Sequence, residues 1–157
     1  MTIDAHDGEV FRRHIPVRFG DCDPAGIVFY PRYFEMFNGV VEDWCAQELG
    51  ISFRDMHLRQ HWGLPTVHLE TDFIAPSELG EVLQACLQVR KLGRCSLHVA
   101  MRLLGPDGGE RVRAKLVLAA MDLRERRAMP LPTEVARQAA RFRAADANDN
   151  KDEKGPA

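Results

Sequence analysis

A chain of 157 residues, 45% hydrophobic and 28% charged, has the length and composition of one soluble globular domain able to bury a real core. Its formal net charge of -2 gives no long-range reason to expect nucleic acid or an anionic membrane as partner. No apolar run approaches the roughly 20 residues of a membrane span, and the polar, acidic stretch Met1 to Val10 lacks the apolar centre of a signal peptide.

The four cysteines, Cys22, Cys45, Cys86 and Cys95, lie far apart without a C-x-x-C pair. Reduced thiols in a cytoplasm are therefore expected, and no metal or redox centre. The polar ends, residues 1–9 and 144–157, are expected to be disordered arms around a single domain at 10–143. Within the domain, VFRRHIPVRF at 10–19 predicts a first strand, which Pro16 assigns to a sheet edge or a bulge. The turn-rich GDCDPAG follows. Next, Phe34, Phe37, Val41, Trp44 and Cys45 recur at steps of three or four and predict a long helix. Pro31 suits its first turn and Gly50 its end.

A short second helix is expected over 52–60. Beyond Pro65 the period shortens to two, and VHLETDFIA, EVLQACLQVRK and CSLHVAMRLL each predict a strand. GPDGGE at 105–110 predicts a hairpin loop. ERVRAKLVLAAMDL is a further strand, whose apolar VLAAM portion suggests cover on both faces. Thr133 is placed as the cap of a last short helix with Val135, Ala139 and Phe142 on one face. One strand, one long helix and four strands in meander-like succession make an α+β protein. Helix and sheet each have one apolar side to hide, so the helix is expected against the concave face of an antiparallel sheet of about five strands, the hotdog arrangement.

The informative segment for chemistry is Arg18 to Tyr33, RFGDCDPAGIVFYPRY. It sets two carboxylates, Asp21 and Asp23, in a tight loop ahead of a helix N-terminus. The unpaired N–H groups there carry partial positive charge and can hold an oxyanion. The Tyr30 amide is the candidate donor, since Pro31 supplies none. A carboxylate beside an oxyanion site is the minimum equipment for hydrolysing an activated acyl group. By residue type alone the commoner reading is structural: Asp before Pro is turn chemistry, and carboxylates near helix starts often serve only as caps.

FGDCDPAGIVFYPRY closely resembles the signature loop of the 4-hydroxybenzoyl-CoA thioesterase family of hotdog proteins, through Asp21, Asp23, Gly26, Ile27, Val28, Tyr30 and Tyr33. The resemblance continues more loosely to about Leu123. It implies that Asp23 is the catalytic carboxylate, nucleophile or general base, and that the Tyr30 backbone N–H polarises the thioester carbonyl. Relatives similar to the Tol-Pal-associated thioesterases carry His at the Tyr30 position, so Tyr aligns this chain with the aromatic-acyl branch. Asp21 is expected to brace the loop.

A second cluster, Arg90, Lys91 and Arg94 in RKLGR, has cations suited to the phosphates of coenzyme A, with Ser96 as a weaker hydroxyl candidate. The alternative is a solvated hairpin tip. The resemblance implies that basic residues here contact the nucleotide end of CoA, often on a neighbouring subunit. His57 and His61 lie one helical turn apart with His68 downstream, but the His-Glu-x-x-His pattern is missing, so surface or pocket histidines are expected. Trp62 is a candidate wall of an acyl pocket. The expected activity is hydrolysis of a small aromatic acyl-CoA, benzoyl or hydroxybenzoyl in type, to the free acid and CoA. CoA is part of the substrate, and no separate cofactor is expected. A homodimer or homotetramer is expected, because pairing removes an exposed sheet edge. A hotdog hydratase would place His five residues after its Asp, whereas Val28 follows Asp23 and Gly26 follows Asp21 at that distance. A non-catalytic acyl-CoA-binding hotdog is the alternative from a different functional class.

Overall fold

The computed structural model describes residues 8–145. In chain order they form β1 (Phe11–Pro16), α1 (Tyr30–Gln47), a single π-helical turn (Asp55–Arg59), β2 (Trp62–Gly63), β3 (Thr66–Phe73), β4 (Val82–Leu92), β5 (Ser96–Leu104), β6 (Glu110–Ala119), β7 (Met121–Asp122), β8 (Arg127–Ala128) and α2 (Thr133–Ala140). Five strands make one antiparallel sheet in the order β1-β4-β5-β6-β3, and the short β2, β7 and β8 form a second. Strands β4, β5 and β6 are the expected meander. The strand at 66–73 departs from that succession. It pairs with β6 at the far edge, Leu69 opposite Leu116 and Phe73 opposite Val112, and not with the strand that follows it.

The inner face of the sheet carries Leu83, Ala85, Leu87 and Val89 from β4, Leu97, Val99, Met101 and Leu103 from β5, and Val112, Ala114, Leu116 and Leu118 from β6, all buried. Alternation places these residues on one side, and α1 covers them with Phe37, Val40, Val41 and Trp44. Each Val, Leu, Met or Phe among them stabilises the fold by about 1.5–3 kcal/mol through removal from water. Trp44 packs edge-on against Phe142 just beyond α2, at 5.7 Å between ring centroids. Its indole N–H is buried without a partner among the described residues, so apolar packing holds the ring there. Pro16 ends β1 at a sheet edge, as its missing N–H requires.

Two local expectations are corrected. The apolar run VLAAM is not one strand covered on both faces. Pairing with β5 ends at Ala119, and Met121–Asp122 turns away to pair with Trp62–Gly63. Thr133 is the first residue of α2 and not its cap, since Pro132 occupies the capping position with φ -54° and no side chain caps the end. The arms expected at 1–9 and 144–157 lie mostly outside the described residues. Of the described remainder, the Glu9 N–H donates to the Arg141 carbonyl at 2.9 Å and the Ala144 N–H to the Val89 carbonyl at 3.0 Å. Among the described residues no helix is long and apolar enough to cross a membrane.

Candidate active site

The loop between β1 and α1 is closed on itself before the helix begins. The Asp23 N–H donates to the Ile27 carbonyl at 3.0 Å, and the Gly26 N–H returns to the Asp23 carbonyl at 2.9 Å. Cys22 and Val28 form an isolated antiparallel bridge. Gly26 has φ +77°, the left-handed conformation such a tight reversal needs. A Cβ there would meet nothing within 4 Å, so only backbone strain opposes a side chain. Gly26→Ala is expected to cost about 1–2 kcal/mol, read as a lower denaturation midpoint at unchanged slope. An unchanged midpoint would contradict it.

Asp21 braces the loop from both its ends. Its Oδ2 accepts from the Arg18 N–H at 2.9 Å, and its carbonyl accepts from the Phe29 N–H at 2.8 Å. The second bond draws the helix start against the chain that carries Asp23. Asp23 is half-buried, and its Oδ1 accepts from the Ala25 N–H at 2.8 Å. Its Oδ2 has no protein partner among the described residues. Tyr30 opens α1, and its N–H likewise finds no acceptor among them, while Pro31 has none to offer. A carboxylate oxygen and a helix-terminal donor thus stand on the two arms of one closed loop. The Cys22 thiol, next to Asp23 in the chain, is pushed up in pKa by desolvation and then by Asp21 and Asp23, which disfavours the thiolate and makes it a poor competing nucleophile.

A second segment, residues 76–81, holds this loop in place. The Val28 N–H donates to the Ser77 carbonyl and the Leu79 N–H to the Gly26 carbonyl, both at 2.9 Å. Arg111 fastens the segment in turn, donating to the Pro76 carbonyl and pairing with Glu81 at 2.9 Å. Sequence reading passed over Ser77, Glu81 and Arg111. Pro76 and Gly80 signal a turn, but nothing in residue type ties that turn to the loop.

Aromatic rings gather where α1 begins. Phe73, at the end of edge strand β3, stands 6.1 Å from Tyr30, 6.0 Å from Tyr33 and 6.3 Å from Phe34, centroid to centroid. Phe73 remains 52% and Tyr30 58% exposed, so these two rings form an accessible aromatic surface at the margin of the core to which Tyr33 belongs. Trp62, the expected pocket wall, is instead almost fully buried, with its indole N–H donating to Gln60 Oε1 at 3.0 Å.

Arg90, Lys91, Arg94 and Ser96 sit at the opposite end of the sheet. The Asp23 loop follows Pro16, which pairs with Val82 at the start of β4, whereas the cationic hairpin follows the end of that strand, where Leu92 pairs with Leu97. The eleven-residue strand β4 separates the two by roughly 30 Å. Within one chain these residues do not converge on Asp23. Arg90 lies at a bulge and lines a depression of about 510 Å³ with His98, His68, Glu70 and Lys115, on the sheet face away from α1. Lys91 and Arg94 are exposed. His68 pairs with Glu70 at 3.2 Å, and His57 Nδ1 lies 2.7 Å from the Phe53 carbonyl.

A sequence profile described as the Thioesterase-like superfamily matches residues 17–139. A 1,4-dihydroxy-2-naphthoyl-CoA hydrolase of Acaryochloris marina (strain MBIC 11017) is 27% identical over 121 residues, covering 76% of this chain and 88% of the relative. A hydrolase of the same name from Synechococcus elongatus (strain ATCC 33912 / PCC 7942 / FACHB-805) is 36% identical over 88 residues, 55% of this chain and 64% of the relative. In fold, the chain is similar to Slr0204, a 1,4-dihydroxy-2-naphthoyl-CoA thioesterase from Synechocystis, with a TM-score of 0.77 at 22% identity over 84% of this chain and 96% of the other. It is also similar to SAV2348 of Staphylococcus aureus, solved in complex with CoA, with a TM-score of 0.81 at 17% identity over 99% of both chains. The sheet wrapped on α1 is therefore the hotdog fold expected from the loop motif, and the chain belongs to the Thioesterase-like superfamily.

Proposed function

We propose that this acyl-CoA thioesterase acts on an aromatic acyl-CoA, with Asp23 as nucleophile or general base and the Tyr30 N–H as oxyanion donor. The observation that carries the reading is the unpartnered Tyr30 N–H at the start of α1, on the same closed loop as the free Oδ2 of Asp23. In one route the Asp23 carboxylate attacks the thioester carbonyl and expels the CoA thiolate. Water then opens the mixed anhydride, releasing the acid and restoring the carboxylate. In the other, Asp23 takes a proton from the water that attacks. Both routes place negative charge on the former carbonyl oxygen, where a helix-terminal donor acts most strongly. A thiolate is a good leaving group, so neither route requires a strong general acid.

The ring cluster around Phe73 supports a planar acyl group. Stacked or edge-on aromatic contacts add about 0.5–1.5 kcal/mol beyond the area they bury. The relatives' names point to a bicyclic naphthoyl group rather than the hydroxybenzoyl group expected from the motif, so the naphthoyl ester leads this proposal. A kcat/KM series over 1,4-dihydroxy-2-naphthoyl-, benzoyl-, 4-hydroxybenzoyl-, phenylacetyl- and short straight-chain CoA esters tests it. Aromatic esters are expected to lead straight-chain ones by about tenfold or more, and Phe73→Ala to remove most of that lead. Equal rates across the panel, or an equal loss for every ester in the variant, would refute the assignment. Binding without turnover would favour a non-catalytic acyl-CoA-binding protein.

A twofold dimer belongs to the same proposal. Strand β3 is an edge with seven of its eight positions exposed, including Val67, Leu69 and Phe73. Unpaired edges of this kind favour strand pairing with a second copy. Antiparallel pairing of two β3 strands sets the Thr66 end of one against the Phe73 end of the other. Thr66 lies at the same end of the sheet as the Leu92–Leu97 hairpin base, through Leu118. Such a dimer brings the partner's cationic hairpin to the end of the sheet where Asp23 and Tyr30 stand.

A further inference from the structure

Ser77 ties the two arms of the site together through two different groups. Its carbonyl accepts from the Val28 N–H at 2.9 Å, which fixes the end of the Asp23 loop. Its hydroxyl accepts from the Tyr33 hydroxyl at 2.9 Å, which fixes the first turn of α1. Ser77 is 0% exposed and Tyr33 4%. A phenylalanine facing an alanine would fill nearly the same space, and replacing both partners of a buried hydrogen bond by apolar groups is often close to neutral for stability. The directional bond therefore supplies something packing does not: a fixed register between loop and helix.

We propose that the Tyr33–Ser77 hydroxyl pair is a positioning clamp that sets the Asp23 carboxylate against the Tyr30 N–H. Neither hydroxyl touches a reacting atom. Tyr33 follows Tyr30 by one helical turn, so its bond to Ser77 anchors the turn that presents the oxyanion donor. The Ser77 carbonyl meanwhile anchors the strand-like end of the loop that closes on Asp23 through Ile27. Arg111, held by Glu81, secures the Pro76 carbonyl just ahead of Ser77 and keeps the clamp from drifting as a body. Burial pushes the Tyr33 phenol up in pKa, against the pull of its Ser77 hydrogen bond, so it stays a neutral donor. Reaction rates fall steeply when reacting groups are displaced by about an ångström, which makes a register lock worth having here.

This inference rests on the proposed roles of Asp23 and Tyr30, and its test separates the two. Tyr33→Phe and Ser77→Ala are each expected to lower kcat by roughly 10–100-fold, with KM changed by less than about twofold. The double variant is expected to regain melting temperature lost by the singles while its kcat stays at their level. Recovery of kcat together with melting temperature would make the pair merely structural and overturn the clamp, as would wild-type kcat in either single variant. Amide hydrogen exchange supplies a readout independent of turnover. The Val28 N–H is expected to exchange faster in all three variants than in the wild type, and unchanged protection would overturn the clamp. If the wild-type protein hydrolyses no CoA ester, the catalytic reading fails, while exchange at Val28 still decides whether the loop is clamped.

Discussion

Asp23→Asn is expected to lower kcat roughly 10³-fold for the best CoA ester while changing KM by less than about threefold. The substitution keeps shape and removes charge. Its amide oxygen can still accept the Ala25 N–H that Asp23 Oδ1 accepts at 2.8 Å, so the loop keeps its turn. The backbone bonds that close the loop, Asp23 to Ile27 and Gly26 to Asp23, do not involve the side chain at all. Folding should therefore change little, and the melting temperature should stay within about 2 °C. What is lost is the free carboxylate oxygen, since a neutral amide neither attacks a thioester nor accepts a proton from water. A thousandfold loss corresponds to about 4 kcal/mol of transition-state stabilisation. The residual rate would measure what the Tyr30 N–H and substrate positioning supply by themselves. Wild-type kcat in this variant would remove Asp23 from the chemistry, whatever the fold.

Asp21, Asp23 and Tyr30 were legible in the sequence because one continuous segment carries all three, and a loop's own spacing places them together. The same locality explains the long helix, whose repeat at Phe34, Phe37, Val41 and Trp44 is written within five turns. The β4–β5–β6 meander was legible too, since alternation and turn residues mark hairpins that pair neighbours in the chain. The partner of β3 was not, because Leu69, Thr71 and Phe73 alternate identically whichever strand they face. Ser77 escaped for a related reason. It meets Tyr33 across 44 residues of chain, and a serine beside a proline is ordinary turn composition. Thr133 misled because its side chain can cap a helix, but Pro132 already holds the capping position. For Arg90, Lys91 and Arg94 the charge and the hairpin were legible and the distance from Asp23 was not, because it depends on which end of the sheet each loop occupies, which residue types do not report.

That distance leads to the second large effect. Reversing the hairpin charges, Arg90→Glu with Lys91→Glu and Arg94→Glu, is expected to lower kcat/KM at least roughly 100-fold for CoA esters, mostly through KM. Contacts to charged phosphates contribute about 1.5–3 kcal/mol each. All three side chains are exposed, so the substitutions disturb no core. If each site takes its Asp23 from one subunit and its phosphate-binding hairpin from the other, this variant and Asp23→Asn should complement one another. In a mixed dimer, one site joins the intact Asp23 of the charge-reversed chain to the intact hairpin of its partner, and the other site carries both defects. Random mixing makes half the dimers mixed, with one of two sites restored, so activity should return to about a quarter of the wild-type level. Sites confined to single subunits would leave every site with one defect, and mixing would restore nothing. The roughly 30 Å between Pro16–Val82 and Leu92–Leu97 within one chain favours restoration, because a single protomer holds its carboxylate and its cations at opposite ends of the sheet.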